Sequence, residues 1–112
     1  MAEQYFLKGF VGAMPEAGEA RGFRFCKFII GANCGNVDRP KKIWVKCTAW
    51  RELAELVAKN VFAGDLVAIN GRIDDVEAWI DPRTKKAKGA LAVQVSAVFK
   101  SKAPGQFTEI RA

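Results

Sequence analysis

Short segments in which apolar and polar residues alternate follow one another along most of the chain. Because successive side chains of a strand point to opposite faces, this alternation predicts strands. Five strands are predicted, over residues 5–11, 23–30, 42–50, 66–73 and 90–100. In the second, the apolar pattern shifts between Phe25 and Phe28, which predicts a bulge or burial on both faces. Gly71 interrupts the fourth strand and predicts a bulge or a sharp bend.

The connections between these strands carry turn-forming residues. Residues 12–22 are predicted to form a turn, residues 33–42 a loop, and residues 81–89 a turn that holds four cations. Over residues 51–62 the apolar residues recur at helical spacing instead, which predicts one short helix. Val76, Ala78 and Ile80 continue one apolar face beyond the fourth strand.

The third predicted strand has two faces of different chemistry. One face is purely apolar and small to medium in size, with Ile43, Val45, Cys47 and Ala49. The other face consists of Lys42, Trp44, Lys46, Thr48 and Trp50. A solvent-facing side is normally polar throughout, whereas this one interleaves two indoles with two ammonium groups. The pattern therefore predicts a core face and a ligand-binding face on the same strand.

Five strands with one short helix between the third and the fourth is the layout of the oligonucleotide-binding (OB) barrel. The sequence thus predicts an all-β OB fold over residues 1–100 and a short C-terminal tail over residues 101–112, where structural signals are weak. In this fold the ligand lies across the second and third strands, close to the long hairpin loops. The indole-bearing face and the cationic turn occupy those two places.

Composition narrows the possible functions. Eighteen Lys and Arg against twelve Asp and Glu give a net charge of +6, which attracts polyanions such as nucleic acid. The chain has no histidine, which excludes His-based acid–base catalysis and Ser-His or Cys-His dyads. Cys26, Cys34 and Cys47 form no C-x-x-C pair, so the sequence predicts free, mostly buried thiols, no metal site and no cofactor. We expect a non-catalytic, cytoplasmic protein, since no secretory signal or membrane-spanning stretch is present.

An interleaved aromatic and basic surface is suited to single-stranded nucleic acid, because every base has a π-face that an indole can stack on. Candidate stacking residues are Trp44, Trp50 and Trp79. Candidate phosphate contacts are Lys42, Lys46, Arg83, Lys85, Lys86 and Lys88. A strand Trp is more often a core or interface residue, but the phase of Trp44 and Trp50 opposes the apolar face. Asp75 and Glu77 share the face of Trp79 and would repel phosphate there.

Two runs carry a resemblance to a known family, WVKCTAWRELAE over residues 44–55 and GDLVAINGRI over residues 64–73. They resemble the bacterial single-stranded DNA-binding protein family, strongly over residues 44–73 and loosely over the rest of the chain. The resemblance implies that Trp44 and Trp50 stack on bases and that Trp79 matches a third aromatic with a one-residue slip. Near Asn33 and Cys34, where many members have a further aromatic, this chain has none.

The resemblance also implies a homo-oligomer, a tetramer in most members. Members usually continue into a linker rich in Gly, Pro and Gln and an acidic, partner-recruiting C-terminal tip. The sequence as given shows no such tail, which is either naturally absent or removed, and we expect the chain to bind single-stranded DNA autonomously and to recruit no partner through its C-terminus.

Three other functions fit the same pattern. A primosome-type relative would be a dimeric OB protein that binds single strands, and a solution mass of two rather than four subunits would distinguish it. An RNA-binding OB module would prefer RNA in competition with matched DNA. A protein-interaction barrel would use its Trp face as a subunit interface, and oligo-dT would leave its fluorescence unchanged.

Overall fold

The computed structural model describes residues 4–35, 38 and 40–111. These residues form seven strands and one helix. In chain order they are β1 (Gln4–Val11), β2 (Glu16–Ala20), β3 (Phe23–Gly35), β4 (Pro40–Trp50), α1 (Glu52–Asn60), β5 (Leu66–Ile80), β6 (Ala87–Ala103) and β7 (Gln106–Glu109). No helix in this described part of the chain is long and apolar enough to span a membrane.

Five of the strands close into a ring. β1 pairs antiparallel with both β3 and β5. β5 pairs antiparallel with β6, β6 pairs parallel with β4, and β4 pairs antiparallel with β3. The helix α1 lies between β4 and β5, which are the third and fourth strands of the ring. The predicted OB arrangement is confirmed.

The core lies inside the ring and follows the alternation of the strands. Val45, Cys47 and Ala49 of β4 are fully buried, and Val57 of α1 packs against the same cluster. The predicted burial of thiols is confirmed for Cys26 and Cys47, and burial raises the pKa of both. The predicted irregularity at Gly71 is confirmed as a register shift between Asn70 and Gly71.

The predicted bulge or two-sided burial of the second strand is wrong. β3 pairs with β4 in unbroken register from Phe25 opposite Trp50 to Gly35 opposite Pro40. Cys26, Phe28 and Ile30 point into the core, while the residues between them face outward. The apolar pattern shifts because aromatic residues also lie on the outer face. In a sequence, the alternation of apolar and polar residues is interrupted in the same way by a bulge and by apolar residues on the outer face of a regular strand.

The predicted turn over residues 12–22 is also wrong, because it contains β2. This edge strand pairs with β3 from Glu16 opposite Lys27 to Ala20 opposite Phe23. Its sequence, EAGEA, has no alternation of large apolar residues, because only the small residues Gly18 and Ala20 lie on its half-buried face. Residues 12–15 connect β1 to β2, and the turn between β2 and β3 consists of Arg21 and Gly22, both with positive φ.

The remaining differences lie at strand ends. Much of the predicted loop over residues 33–42 is strand, because β3 continues to Gly35 and β4 begins at Pro40. Val76 and Ile80 are largely exposed, because the β5–β6 hairpin extends beyond the ring. Residues 101–112, with weak signals in the sequence, include the end of β6 and all of β7, and the Ile110 N–H donates to the Val98 carbonyl at 2.8 Å.

The close approach of β1 to β3 gives a test of ring packing. A Cβ on Gly9 would lie 2.4 Å from the Gly31 carbonyl oxygen, so the two backbones must separate. We expect Gly9→Ala to lower the free energy of unfolding by about 1–3 kcal/mol. Gly89→Ala is the matched control, because the nearest atom to its Cβ is the Glu77 carbonyl oxygen at 3.3 Å. Urea denaturation measures both, and equal losses would contradict the packing described.

Candidate nucleic-acid interface

The outer face of β4 is the indole-bearing face predicted from the sequence. Trp44 and Trp50 are 39% and 38% exposed, and Lys42 and Lys46 are exposed beside them. Thr48, between Lys46 and Trp50, is half-buried. The alternation is the physical cause, because the intervening residues fill the core and leave these side chains outside.

Small residues surround Trp44 and leave space for its ring. Its ladder partners are Gly31 on β3 and Ala90 on β6. A Cβ on Gly31 would come within 3.2 Å of the indole, and a Cβ on Gly12 within 3.3 Å. The Lys42 ammonium lies 4.8 Å from the centre of the Trp44 ring. An exposed indole and a cation are thus held together at one end of the face.

A hydrogen-bonded chain holds Trp50 at the other end. The Trp50 Nε1–H donates to Oε1 of Gln94 at 2.8 Å, and Nε2 of Gln94 donates to Oδ2 of Asp74 at 3.2 Å. The ring of Phe25 packs edge-on against Trp50 with 5.7 Å between the ring centres. These contacts fix the orientation of the exposed Trp50 indole, which could otherwise adopt several rotamers.

A cleft of about 360 Å³ opens beside the middle of β4, and neither Trp44 nor Trp50 is among its lining residues. Lys46, Thr48 and Gln94 line one part of it, and Lys27 and Ile29 of β3 line another. The volume lies within the range of about 300–1,000 Å³ that is typical of small-ligand sites. The outer face of β4 therefore borders a shallow groove at Lys46 and Thr48, and Trp44 and Trp50 lie to either side of these two residues along the strand.

Lys46 already has a partner in this groove. Its ammonium donates to Oε2 of Glu77 at 2.7 Å, and both side chains are nearly half exposed. A phosphate would have to replace this carboxylate in order to bind Lys46. Because an exposed ion pair of this kind contributes at most about 1 kcal/mol, little free energy is lost when a phosphate replaces Glu77.

The β5–β6 hairpin carries the third tryptophan and the cationic turn. Trp79 is 42% exposed and pairs across the hairpin with Lys88. Lys88 lies 3.0 Å from Oδ2 of Asp81, and Oδ1 of Asp81 accepts the Arg83 N–H at 2.8 Å. These hydrogen bonds, that of Lys88 above all, hold the pKa of Asp81 below its usual value.

The other three cations of the turn, Arg83, Lys85 and Lys86, are exposed. Within the part of the chain that is described, no salt bridge involves them. The turn therefore presents three uncompensated positive charges, and Asp81 neutralises the fourth.

The register brings the hairpin and β4 onto one surface. Ala90 of β6 lies between Trp44 of β4 and Glu77 of β5, so all three side chains share a face. Trp79 is two residues from Glu77 and lies on the same side. Trp79 and Trp44 are thus two strands apart, about 10 Å across the sheet. The predicted site residues on β4, β5 and β6 line one face, and the cationic turn extends from its edge.

Two residues of this surface, Gln94 and Phe25, were not predicted from the sequence. Gln94 has the phase of an outward residue of β6, but only the parallel β4–β6 pairing shows that it reaches Trp50. Phe25 was hidden by the apparent phase shift of its strand. Its position opposite Trp50 in the ladder was the missing information.

The fold and this face together define an OB barrel with an exposed aromatic and basic surface. The model of the single-strand binding protein family matches residues 2–99. The chain belongs to this family, which confirms the resemblance found in the sequence.

A solved structure, that of the small single-stranded DNA-binding protein from Streptomyces coelicolor, has the same fold. It superposes with a TM-score of 0.73 at 17% sequence identity, over 94% of this chain and 98% of that one. No match was found among curated proteins. Family membership gives the activity: the chain binds single-stranded DNA, and roles in replication and repair are typical of the family, which is non-catalytic.

The Lys46–Glu77 ion pair gives a prediction about affinity. We expect Glu77→Gln to bind oligo-dT more tightly, because Lys46 is released and a negative charge is removed from the groove. The slope of log affinity against log salt should steepen by about 0.7, the contribution of one phosphate contact, because Lys46 would then bind phosphate without releasing a carboxylate. Fluorescence titrations at several salt concentrations measure both quantities.

Glu109→Gln is the control for this variant. It changes the net charge equally but removes a partner of Arg111 on β7, away from the groove. If the two variants have the same affinity and slope, the effect reflects net charge alone, and Glu77 has no local role.

Proposed function

We propose that this chain coats single-stranded DNA with little preference for base sequence, during replication, recombination or repair. Bases stack on Trp44, Trp50 and Trp79. Phosphates contact Lys42, Lys46, Arg83, Lys85, Lys86 and Lys88. The observation that carries the proposal is the pair of exposed indoles on β4, directly opposite a fully buried face. Barrel stability gives no reason for large aromatic rings at these outward positions.

Tolerance of sequence follows from the kind of contacts that are available. Stacking uses the π-face that all four bases share, whereas discrimination needs free donors and acceptors aimed at base edges. The amide best placed for that role is Gln94, and both ends of it are occupied by Trp50 and Asp74. Duplex DNA is a poorer ligand, because its bases are already stacked on one another.

The candidate phosphate-binding cations differ in whether they already form an ion pair within the protein. Arg83, Lys85 and Lys86 form no salt bridge among the described residues, so a phosphate can bind them without displacing a carboxylate. Lys46 and Lys88 exchange Glu77 and Asp81 for phosphate. This arrangement supports a complex that forms by long-range attraction at the hairpin and then settles into the groove.

We further propose that the protein catalyses no reaction, acts in the cytoplasm and uses a binding surface within residues 1–100. We also propose a homo-oligomer, with a tetramer favoured and a dimer possible. Phe6 and Phe10 are exposed on the outer face of β1, which pairs with β3 and β5, and association of copies would cover them. Sedimentation equilibrium distinguishes four subunits from two.

The stacking surface predicts the behaviour of tryptophan variants. Oligo-dT should quench the intrinsic fluorescence, and Trp44→Ala and Trp50→Ala should each weaken binding by about 1–3 kcal/mol, the usual value of a base–aromatic stack. Thermal unfolding checks that each variant is folded. Folded variants that both bind like the parent protein would rule out stacking on β4.

The hairpin predicts a salt effect. Each phosphate contact to a single strand contributes about −0.7 to the slope of log affinity against log salt. Replacing Lys85, Lys86 and Lys88 together with Gln should therefore flatten the slope by up to about 2. Titration of oligo-dT between low and moderate salt measures it.

A triple variant of Lys8, Lys59 and Lys102 to Gln is the control. It removes the same charge from exposed positions on β1, α1 and the far end of β6. Equal slopes for the two triple variants would mean that the hairpin acts only through net charge.

A further inference from the structure

The outer face of β3 carries aromatic residues that neither the core nor the site described above requires. Phe23 is 46% exposed, and Phe25 is half-buried against Trp50. The small residues Ala20 and Gly18 of β2 are their ladder partners, so β2 places no bulky side chain beside the rings. A Cβ on Gly18 would lie 2.5 Å from the Phe25 ring, which therefore lies across β2.

Each of these rings has a cation beside it. The Arg51 guanidinium lies 4.6 Å from the centre of the Phe23 ring, and the Lys27 ammonium lies 5.2 Å from that of Phe25. Among the described residues, no salt bridge involves Arg51 or Lys27, whereas Arg24 pairs with Glu55 of α1. Glu16 is the ladder neighbour of Lys27 but is not paired with it. Exposed rings beside uncompensated cations repeat the chemistry of Trp44 and Lys42.

The backbone of Arg51 is an independent observation. Its φ of 59° and ψ of −126° are those of the first central position of a type II′ turn, which glycine dominates. Its N–H donates to the Arg24 carbonyl at 2.8 Å, and this bond holds the end of β4 against β3. Glycine would adopt this conformation without strain. An arginine here has a strained backbone, and strained residues are concentrated at functional sites.

This second surface is continuous with the first. Phe25 and Trp50 are ladder partners with ring centres 5.7 Å apart. Phe23 lies two residues before Phe25 on the same face, about 7 Å further along the strand. The aromatic row therefore runs along β4 from Trp44 to Trp50, crosses to Phe25 and ends at Phe23, next to the β2–β3 turn.

We propose that single-stranded DNA bound at Trp50 continues onto Phe25 and Phe23, where further bases stack and Arg51 and Lys27 contact the phosphates. The proposal rests on the function proposed above and adds a segment of polynucleotide to it. It assigns Arg51 a binding role that explains why an arginine occupies a position suited to glycine. The uncompensated positive charge and the continuity with Trp50 favour a nucleic acid over a protein as the occupant.

Two variants test the proposal. Phe23→Ala should weaken binding of long oligo-dT at least about fivefold, the lower end of the value of one base stack. Arg51→Gly should weaken it as well, while its midpoint of thermal unfolding stays the same or rises, because glycine relieves the strained backbone. In both variants each protomer should also occlude fewer nucleotides of poly(dT) than in the parent protein. Oligomers too short to extend beyond Trp50 should bind nearly as well as they do to the parent.

Phe62→Ala is the matched control. Phe62 is 45% exposed and has the Lys100 ammonium 5.1 Å from its ring centre, so it copies the exposure and the cation contact of Phe23. Lys100 lies six residues beyond Gln94 on β6, about 20 Å along the strand. This variant should bind oligo-dT of every length like the parent protein.

The outcomes separate this inference from the proposed function. If Trp44→Ala and Trp50→Ala weaken binding but Phe23→Ala and Arg51→Gly match the parent at every length, the extension is overturned and the stacking groove remains. If none of the four weakens binding, the groove is wrong and the extension is wrong with it. If Phe23→Ala lowers the mass of the oligomer and leaves DNA affinity unchanged, the surface is a subunit contact and the proposal is overturned.

Discussion

The backbone hydrogen bonds along both edges of β4 determine on which side of the barrel the candidate binding face lies. Its antiparallel ladder with β3 runs from Trp50 back to Pro40, and its parallel ladder with β6 closes the ring. Once both edges are paired, the strand cannot rotate, and Val45, Cys47 and Ala49 must fill the core. The intervening side chains are then forced to the outside. Burial of the small apolar residues thus stabilises the barrel and, by the same alternation, presents the indoles to the ligand.

Several charges on this surface already have partners within the protein. Glu77 and Asp81 compensate Lys46 and Lys88, and Asp74 holds Gln94 and, through it, Trp50. In the proposed complex, phosphates would replace Glu77 and Asp81, which lowers the net gain in free energy per contact. Arg83, Lys85 and Lys86 of the hairpin turn, which form no salt bridge among the described residues, attract polyanions over a long range. The carboxylates beside the groove partly cancel this attraction.

The ring strands, the helix and the two-faced character of β4 could be predicted from the sequence, because a strand buried on one face has a clear period of two. β2 could not, since EAGEA has only Gly18 and Ala20 on its half-buried face and therefore no alternation of large apolar residues. The outward position of Phe25 could not either, because an apolar residue outside the barrel has the same sequence signal as one inside. The contact of Gln94 with Trp50 depends on a parallel pairing between segments 44 residues apart. Such contacts are fixed by topology and not by local pattern.

Photocrosslinking tests the central claim most directly, because it reports which side chains the bases touch. The protein would be irradiated with an oligonucleotide that carries 5-bromodeoxyuridine, and the crosslinked residues identified by mass spectrometry. The account predicts crosslinks on the outer face of β4, at Trp44 and Trp50, and at Trp79 of the hairpin. Crosslinks concentrated at Phe6 of β1 and Phe99 of β6, whose rings pack against each other, would contradict it, because the bases would then lie away from the outer face of β4.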